Sequence, residues 1–126
     1  MLDPTTFEYA DSVWQDIFNT LKNAEFDVYS PSTKVGECTR PYVVVTVGTS
    51  AVHQTFSTNV DQYAVMCYVP KMQYSKLEPY VRSVMAAMRC LEPYVVPYGS
   101  RTPSFYDDGI KAHMVSIEYK NYKKIR

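Results

Sequence analysis

The order in which helical and strand-like patterns follow one another constrains the fold of this 126-residue chain most. Apolar residues recur at helical spacing over about residues 4–23 and again over 77–91, and strand-like segments lie between and after them. The pattern predicts an α+β fold: a mostly antiparallel, curved sheet of about four to five strands, with two helices packed on one face. Because no linker, repeat or low-complexity segment interrupts residues 1–126, we expect a single domain.

Each helical pattern has recognisable boundary signals. Asp3 and Pro4 are suited to begin the first helix, as its N-cap and its first helical residue. The second helix has two possible starts: Ser75 and Glu78 have capping-box spacing, or Glu78 is the cap and Pro79 the first helical residue. Pro93 should end this helix, because the residue before a proline avoids helical geometry.

The strand signals differ in strength. The β-branched run at 42–47 is the strongest, and it predicts a central strand buried on both faces that ends at Gly48. Residues 60–69 alternate, so Tyr63, Val65, Cys67 and Val69 should share one face. The remaining expectations are strands at 26–29, 94–96 and 110–119, loops at 30–40, 49–57 and 97–103, a turn at 107–109 and a basic tail at 120–126.

Charge is unevenly distributed along a chain whose net charge is zero. Residues 1–63 carry three basic and eight acidic side chains, whereas residues 64–126 carry ten basic and five acidic ones. If the halves separate in space, this polarity favours head-to-tail association, in which one edge meets the opposite edge of a neighbour. We expect instead that the halves interleave, because halves of a sequence are not faces of a fold.

Tyrosine is the most unusual feature of the composition. The chain holds 12 Tyr and 6 Met residues, and both types are enriched in protein interfaces. Tyr also suits half-buried strands, so the composition alone does not choose between an interface and ordinary sheet packing.

No residue cluster predicts catalysis, a metal site or a cofactor. His53 and His113 have no Cys, Asp or Glu at metal-ligand spacing, and the four glycines are too scattered for a phosphate-binding loop. Asp107 and Asp108 lie beside Gly109, where such side chains usually bond to their own backbone. The sequence therefore favours a non-enzymatic protein without cofactors.

The cysteines and the hydropathy pattern suggest where the chain resides. Cys38, Cys67 and Cys90 are odd in number and widely spaced, and we expect Cys67 and Cys90 to be buried free thiols. The chain begins without the basic region and apolar core of a signal peptide. No apolar run approaches the ~20 residues that span a membrane. These features predict a protein made in a reducing cytosol, with no membrane partner.

Nucleic-acid binding is one alternative function. The C-terminal segment combines basic and aromatic side chains: Lys120, Lys123, Lys124 and Arg126 with Tyr119 and Tyr122. A pI of 6.7 argues against a dedicated DNA-binding protein, which usually has a strongly basic face.

The order of elements resembles that of the tail-terminator proteins of long-tailed bacteriophages, which close the upper end of the tail tube. The resemblance covers residues 13–119 and rests on the amphipathic N-terminal helix, the strands FDVY at 26–29, PYVVV at 41–45 and QYAVMCYVP at 62–70, the helix that begins SKLEPYV at 75–81, and a final strand. Related head–tail connector and minor capsid proteins have a similar size. The irregular stretch at 97–109 is longer than this layout needs.

The resemblance implies a structural protein of the virion neck, assembled in the host cytoplasm. Its subunits would form a homo-hexameric ring that ends tail-tube growth and joins the tail to the head. Its partners would be the major tail tube protein and a head-completion or connector protein, and DNA would pass through the ring without specific binding. The resemblance implies no catalytic residue, metal or cofactor.

The 49–57 connection and the 97–108 segment are the expected contact regions, because they are polar or aromatic and too long for simple turns. Tyr and Arg dominate interface hot spots, and basic residues at the C-terminus could meet a partner. The predicted interface residues are Tyr98, Arg101, Phe105, Tyr106, His53, Gln54, Lys123 and Lys124. Packing of the loop against its own domain is the alternative role for the aromatic residues among them.

Overall fold

The computed structural model describes residues 13–52, 58–97 and 101–124, with side chains for 13–47, 62–97 and 101–121. The elements in chain order are α1 (Val13–Asn23), β1 (Val28–Tyr29), β2 (Tyr42–Val52), β3 (Thr58–Pro70), α2 (Leu77–Met88), β4 (Val96–Pro97), β5 (Phe105–Asp107) and β6 (Ala112–Lys124). Short 3₁₀ segments, Lys71–Lys76 and Arg89–Leu91, flank α2. The expected part of the first helix before Val13 lies outside the described residues.

The α+β prediction is confirmed. Six strands form one open sheet in the order β1-β2-β3-β6-β4, and β5 also pairs with β6. All pairs are antiparallel except β1 with β2. The sheet has more strands than the expected four to five, because the edge beside β6 consists of the two short strands β4 and β5.

Both helices pack on the same face of the sheet. Ile17 and Leu21 of α1 and Val81 and Val84 of α2 are each 0% exposed. They meet the inward-facing sheet residues Val43, Val45, Tyr63, Val65, Cys67, Val69, Val115, Ile117 and Tyr119 in one core. The residues of the 60–69 strand that were expected to share one face therefore do so, and that face is the one covered by the helices.

A side-chain hydrogen bond positions α1 over β2. The indole Nε1–H of Trp14 donates to the carbonyl oxygen of Val45 at 2.8 Å. Trp14 also stacks on Phe18, with ring centroids 5.0 Å apart. The start of α1 is thus held above the outer side of β2.

A smaller cluster partly covers the opposite face of the sheet. Tyr42, Cys38 and Ala112 are buried there, with Tyr68 and Ile110 packed against them. The backbone N–H of Cys38 donates to the carbonyl oxygen of Ile110 at 2.8 Å, which holds the 30–40 loop against the sheet.

The prediction for the 42–47 strand is wrong in both its extent and its position in the sheet. Strand β2 continues past Gly48 to Val52, with a register shift between Val47 and Ser50, so part of the expected 49–57 loop is strand. It is not the central strand, since β3 lies there, and Val44 is only partly buried on the face without helices. Residues 53–57 lie outside the described part of the chain.

The expected C-terminal tail is also strand over most of its length. Strand β6 runs to Lys124, and Thr58 through Pro70 of β3 pair with Lys124 through Ala112. Long-range pairing with β3 therefore draws this polar segment into the sheet.

The start of α2 matches neither predicted cap. Lys76 occupies the N-cap position without a side-chain capping bond, and the 3₁₀ segment leads directly into the helix. Pro79 is the third helical residue, where its missing N–H would have no partner inside the helix. The α-helix ends at Met88, earlier than predicted, and continues as the 3₁₀ turn Arg89–Leu91. Glu92 before Pro93 is extended, with φ −73° and ψ 144°, as the proline predicted.

The sheet order keeps the two halves of the sequence apart. The first-half elements α1, β1 and β2 lie on one side of β3, whereas α2, β4, β5 and β6 lie on the other. For the described helices and strands the expectation that the halves interleave is wrong, whereas the 30–40 loop of the first half does lie against Ile110 of the second. Three acidic residues of the first half, Asp3, Glu8 and Asp11, lie outside the described residues.

Candidate interaction surface

Three exposed apolar side chains lie on β5 or on the 3₁₀ segment before α2. Met72 is 88% exposed, Tyr74 55% and Phe105 49%. We call this region, together with Tyr106 and His113, the β5 corner. Exposed large apolar side chains at the edge of a sheet are candidates for protein–protein contacts.

Ring contacts hold the β5 corner together. The His113 ring lies between two tyrosines, with its centroid 4.7 Å from that of Tyr74 and 5.1 Å from that of Tyr106. The Tyr74 hydroxyl lies 3.3 Å from Ser104 Oγ, which connects the 3₁₀ segment to the residue before β5. The corner is thus preorganised, which lowers the entropy lost on binding a partner.

An ion-pair network fixes the segment that leads into β5. Arg101 Nη2 donates to both oxygens of Glu78, at 2.7 and 2.6 Å, and Arg82 Nε donates to Glu78 Oε2 at 3.1 Å. The hydrogen bonds from Arg101, followed by those from Arg82, lower the pKa of the Glu78 carboxyl. Glu78 therefore binds segment 101–104 to α2.

Backbone contacts continue the edge of the sheet between β4 and β5. The Thr102 N–H donates to the carbonyl oxygen of Ser116 at 3.0 Å, and the Ser116 N–H donates to Thr102 Oγ1 at 3.0 Å. Between this segment and the start of α2 lies an open cleft of about 490 Å³, with Leu77 and Val115 among its lining residues. The cleft contains the Arg101–Glu78 pair, so a partner side chain entering it would meet a neutralised charge.

The structure brings together three of the eight predicted interface residues. Phe105 is exposed opposite Met114, Tyr106 is half-buried against His113 on the other face of the sheet, and Arg101 is engaged by Glu78 within its own chain. The role of Arg101 in the described structure is therefore to hold its own segment on α2.

The other predicted interface residues are elsewhere. Lys123 and Lys124 lie near the far end of β6, about 30 Å along the strand from His113. The side chains of these two lysines, and the whole of Tyr98, His53 and Gln54, lie outside what the structure describes.

Sequence reasoning missed Met72 and Tyr74, the two most exposed members of the β5 corner. Both lie between a strand that ends at Pro70 and a helix that begins at Leu77. Large apolar residues at alternate positions in so short a connection were the available signal.

A second cavity lies on the face of the sheet without helices. Tyr42 and Tyr68 stack with centroids 4.8 Å apart, and the Lys34 ammonium lies 5.6 Å from the Tyr42 centroid. Burial raises the pKa of Tyr42 to about 12. The cavity holds about 290 Å³. Because Lys34 already lies over the tyrosine rings, its cation–π contact serves to hold the 30–40 loop on the sheet.

The described residues offer little for covalent or metal chemistry. They contain no group of three or more His, Cys, Asp or Glu placed to hold a metal ion. Cys67 is fully buried, and burial raises the pKa of its thiol to about 12. A thiol in that state is a poor nucleophile. The expectation that Cys90 is buried is wrong, since its side chain is exposed.

The described part of the chain contains no helix with the length and apolar character required to cross a bilayer. No family model and no curated protein matches the chain. A function is therefore assigned from the geometry and the sequence.

Proposed function

We propose that this chain is a structural subunit of the neck of a long-tailed bacteriophage, and that it acts as a tail terminator. Its copies form a hexameric ring at the head-proximal end of the tail, stop growth of the tail tube and join the tail to the head. The observation on which the proposal chiefly rests is the β5 corner, an exposed apolar surface at one edge of an open α+β sheet.

The lateral order of the elements supports a ring. The described first-half helix and strands lie on one side of β3 and the second-half elements on the other, so identical subunits can associate head to tail through two different sides. A heterologous contact of this kind closes into a ring when the rotation between subunits is suitable. The β5 corner, at the side formed by the second half of the sequence, would supply the apolar centre of that contact.

The proposed partners follow from the position of such a ring. One surface of the ring meets the last layer of the tail tube protein, and the other meets a head-completion or connector protein. DNA passes through the ring without sequence-specific contacts. The site of action is the virion neck, after assembly in the host cytoplasm.

The ring is tested by replacing the exposed apolar side chains of the β5 corner. The triple variant Met72→Ser, Tyr74→Ser, Phe105→Ser should fold, because each of the three side chains is about half exposed or more. Light scattering after size exclusion, over a range of concentrations, should show a ring for the unaltered chain and a loss of assembly in the variant. Replacing Val35 and Tyr94 by Ser, at 77% and 75% exposure elsewhere on the surface, is the matched control.

A functional assay separates a tail terminator from other assemblies. When the tail tube protein polymerises in vitro, the unaltered chain should shorten the tubes and cap one end, and the triple variant should do neither. Equal assembly and capping by the triple variant would contradict the role of the β5 corner. Binding to the head connector without any effect on tubes would favour a different head–tail connector or minor capsid protein.

A further inference from the structure

Three tyrosine rings meet on the face of the sheet without helices, beside the cavity described there. Tyr42 of β2 and Tyr68 of β3 are paired across the two strands, and their rings stack. Tyr29 of β1 lies against Tyr42, with the ring centroids 5.6 Å apart and the ring planes at 87° to each other. Two rings at right angles enclose a corner in which one group can contact both. We call these three rings, together with Asp107, the tyrosine box.

A cation already lies over the tyrosine box. The Lys34 ammonium is 5.6 Å from the centroid of Tyr42 and 5.9 Å from that of Tyr29. Aromatic faces attract cations that lie within about 6 Å of the ring centre. Both distances are close to that limit, so the attraction is weak and another cation can replace Lys34. The position of Lys34 also shows which sign of charge the box accepts.

Asp107 adds a negative charge to the tyrosine box. Its side chain lines the same cavity as Tyr68, and the pKa of Tyr68 is raised by burial and further by the charge of Asp107. Asp107 Oδ1 accepts from the Gly109 N–H at 2.9 Å, a bond within its own turn that leaves the carboxylate charged. No Lys or Arg side chain among the described residues forms an ion pair with Asp107. The carboxylate and the ring faces together favour a cation over an anion.

The cavity beside the rings has room for more than a charged group. It holds about 290 Å³, and Val44 and Met66 line its apolar part. Both side chains are only partly buried, so a ligand can cover them. The Tyr68 hydroxyl donates to Met66 Sδ at 3.8 Å, which connects the apolar part to the box. The cavity therefore suits a ligand that carries an ammonium group on a short alkyl chain.

We propose that the tyrosine box binds an alkylammonium group and that Lys34 competes with this ligand from within the chain. The ammonium of the ligand takes the position of Lys34 over the rings, and its alkyl part covers the apolar side of the cavity. The 30–40 loop stays on the sheet during this exchange, because the Cys38 N–H still donates to the carbonyl oxygen of Ile110. The site does not depend on the ring or on the β5 corner, so this proposal and the proposed function fail independently.

Choline is the first probe, and 3,3-dimethyl-1-butanol is its control, because the alcohol has nearly the same shape without the charge. Isothermal titration should detect binding of choline and not of the alcohol. With ¹³C-labelled methionine methyl groups, choline should shift the NMR signal of Met66 and leave that of Met88, which is 2% exposed in the core, unchanged. Equal affinity for the alcohol would overturn the proposal, as would a shift of Met88 as large as that of Met66.

Replacing Lys34 tests the competition. Lys34→Met removes the charge and keeps a side chain of similar length. A site that is open in only about a tenth of the molecules binds its ligand about tenfold more weakly, so Lys34→Met should bind choline about tenfold more tightly than the unaltered chain. Lys76→Met is the matched control, because it removes an exposed lysine of the 3₁₀ segment, outside the cavity, and should leave the affinity unchanged.

Asp107→Asn tests the contribution of the carboxylate. The variant keeps an oxygen for the Gly109 N–H and loses the charge, so choline should bind about fivefold more weakly, as expected for one partly exposed ionic contact. Absence of choline binding in Lys34→Met, or equal affinity in Lys34→Met and Lys76→Met, would overturn the proposal.

A capped Gly-Lys-Gly peptide, titrated into Lys34→Met, separates two sources of the same ammonium chemistry. Tighter binding of the peptide than of choline would support a lysine side chain of a partner protein as the ligand. Tighter binding of choline would support a small organic cation. The Met66 methyl signal should shift in either case, and a peptide or choline that binds without shifting it would contradict the assigned site.

Discussion

At the scale of single residues, the three cysteines differ sharply in environment. Cys67 is 0% exposed in the core, and Cys38 is 3% exposed against Tyr42. Burial raises the pKa of both thiols, to about 12 for Cys67. Cys90 is exposed after the end of α2. Because the thiolate is the reactive form, accessibility and pKa both favour reaction at Cys90.

Native protein treated with iodoacetamide at pH 8 should therefore be modified once, at Cys90, and three times after denaturation. Mass spectrometry of the intact chain and of its peptides measures both outcomes. Cys90→Ser is the control and should abolish rapid labelling. Fast modification of Cys67 in the native protein would show that the core opens more readily than the packing implies.

The sequence predicted Cys67 correctly and Cys90 incorrectly for a physical reason. Cys67 belongs to an alternating strand whose inward face follows directly from the sequence pattern. The helical spacing that suggested burial for Cys90 ends at Met88, where the chain tightens into a 3₁₀ turn and changes direction. Local periodicity does not reveal where a helix changes type.

At the scale of secondary-structure elements, Glu78 joins α2 to the segment before β5. The sequence assigned this residue to a helix cap, but its carboxylate binds Arg101, 23 residues away, and Arg82 in the next turn. A capping box is predicted from local spacing alone, which does not show that a distant arginine binds the same carboxylate. The Glu78 side chain is 48% exposed, so solvent and salt weaken the interaction.

Replacing Glu78 by Gln should reduce stability in a pH-dependent way. The folded-state pKa of Glu78 lies below its ordinary value of 4.5, so its contribution is present above that pH and is lost as the pH falls through the folded pKa. The difference in unfolding free energy between the unaltered chain and Glu78→Gln should thus stay constant from pH 7 to about 5.5 and shrink below about 4.5. Urea denaturation at each pH measures it.

Glu118→Gln is the matched control for this measurement, because Glu118 is exposed on β6 and the described residues provide no ion pair for it. A difference for Glu78→Gln that does not change on acidification would mean that the lost interaction is not ionic.

The centres of the long strands were predictable from the sequence, whereas their ends were not. Val43, Val45 and Val65 lie in apolar patterns that indicate strand without any knowledge of partners. The polar ends of β3 and β6 are strand because each is hydrogen-bonded to the other, as in the pairing of Asn59 with Lys123. Such pairing depends on residues more than 60 positions apart, which no local pattern contains.

At the scale of the whole molecule, the lysines near the end of β6 make nucleic-acid binding the main rival function. Lys120, Lys123 and Lys124 follow one another near the end of β6, on the side of the sheet formed by the second half of the sequence. Truncation after Tyr119 is an unsuitable test, because it would remove residues that pair with β3. Substitution of the side chains alone preserves the backbone pairing.

The variant Lys120→Gln, Lys123→Gln, Lys124→Gln should leave ring formation and tube capping largely intact if the chain is a neck protein. Fluorescence anisotropy with labelled DNA, at two salt concentrations, measures the DNA affinity that the rival function requires. Tight binding by the unaltered chain that falls steeply with salt and disappears in the variant would favour a nucleic-acid-binding module.

The candidate surface was only partly predictable at this scale. The sequence identified the 97–108 region and its aromatic residues Phe105 and Tyr106, because length and composition are local properties. It could not show that the connection holding Met72 and Tyr74 folds against the same edge. That contact exists because β6 lies between β3 and β5, so the end of β3 and the start of β6 meet at one corner.

The full-length pairing of β3 with β6 has a consequence for how the chain is made. Strand β6 is synthesised after all the other described elements, yet it covers one side of β3 from Pro70 to Thr58 and forms part of the sheet beneath α2. Until it leaves the ribosome, β3 retains an open edge and the core lacks Val115 and Ile117. The sheet therefore cannot be completed before β6 has emerged, and chains cut short before Ala112 should aggregate rather than fold.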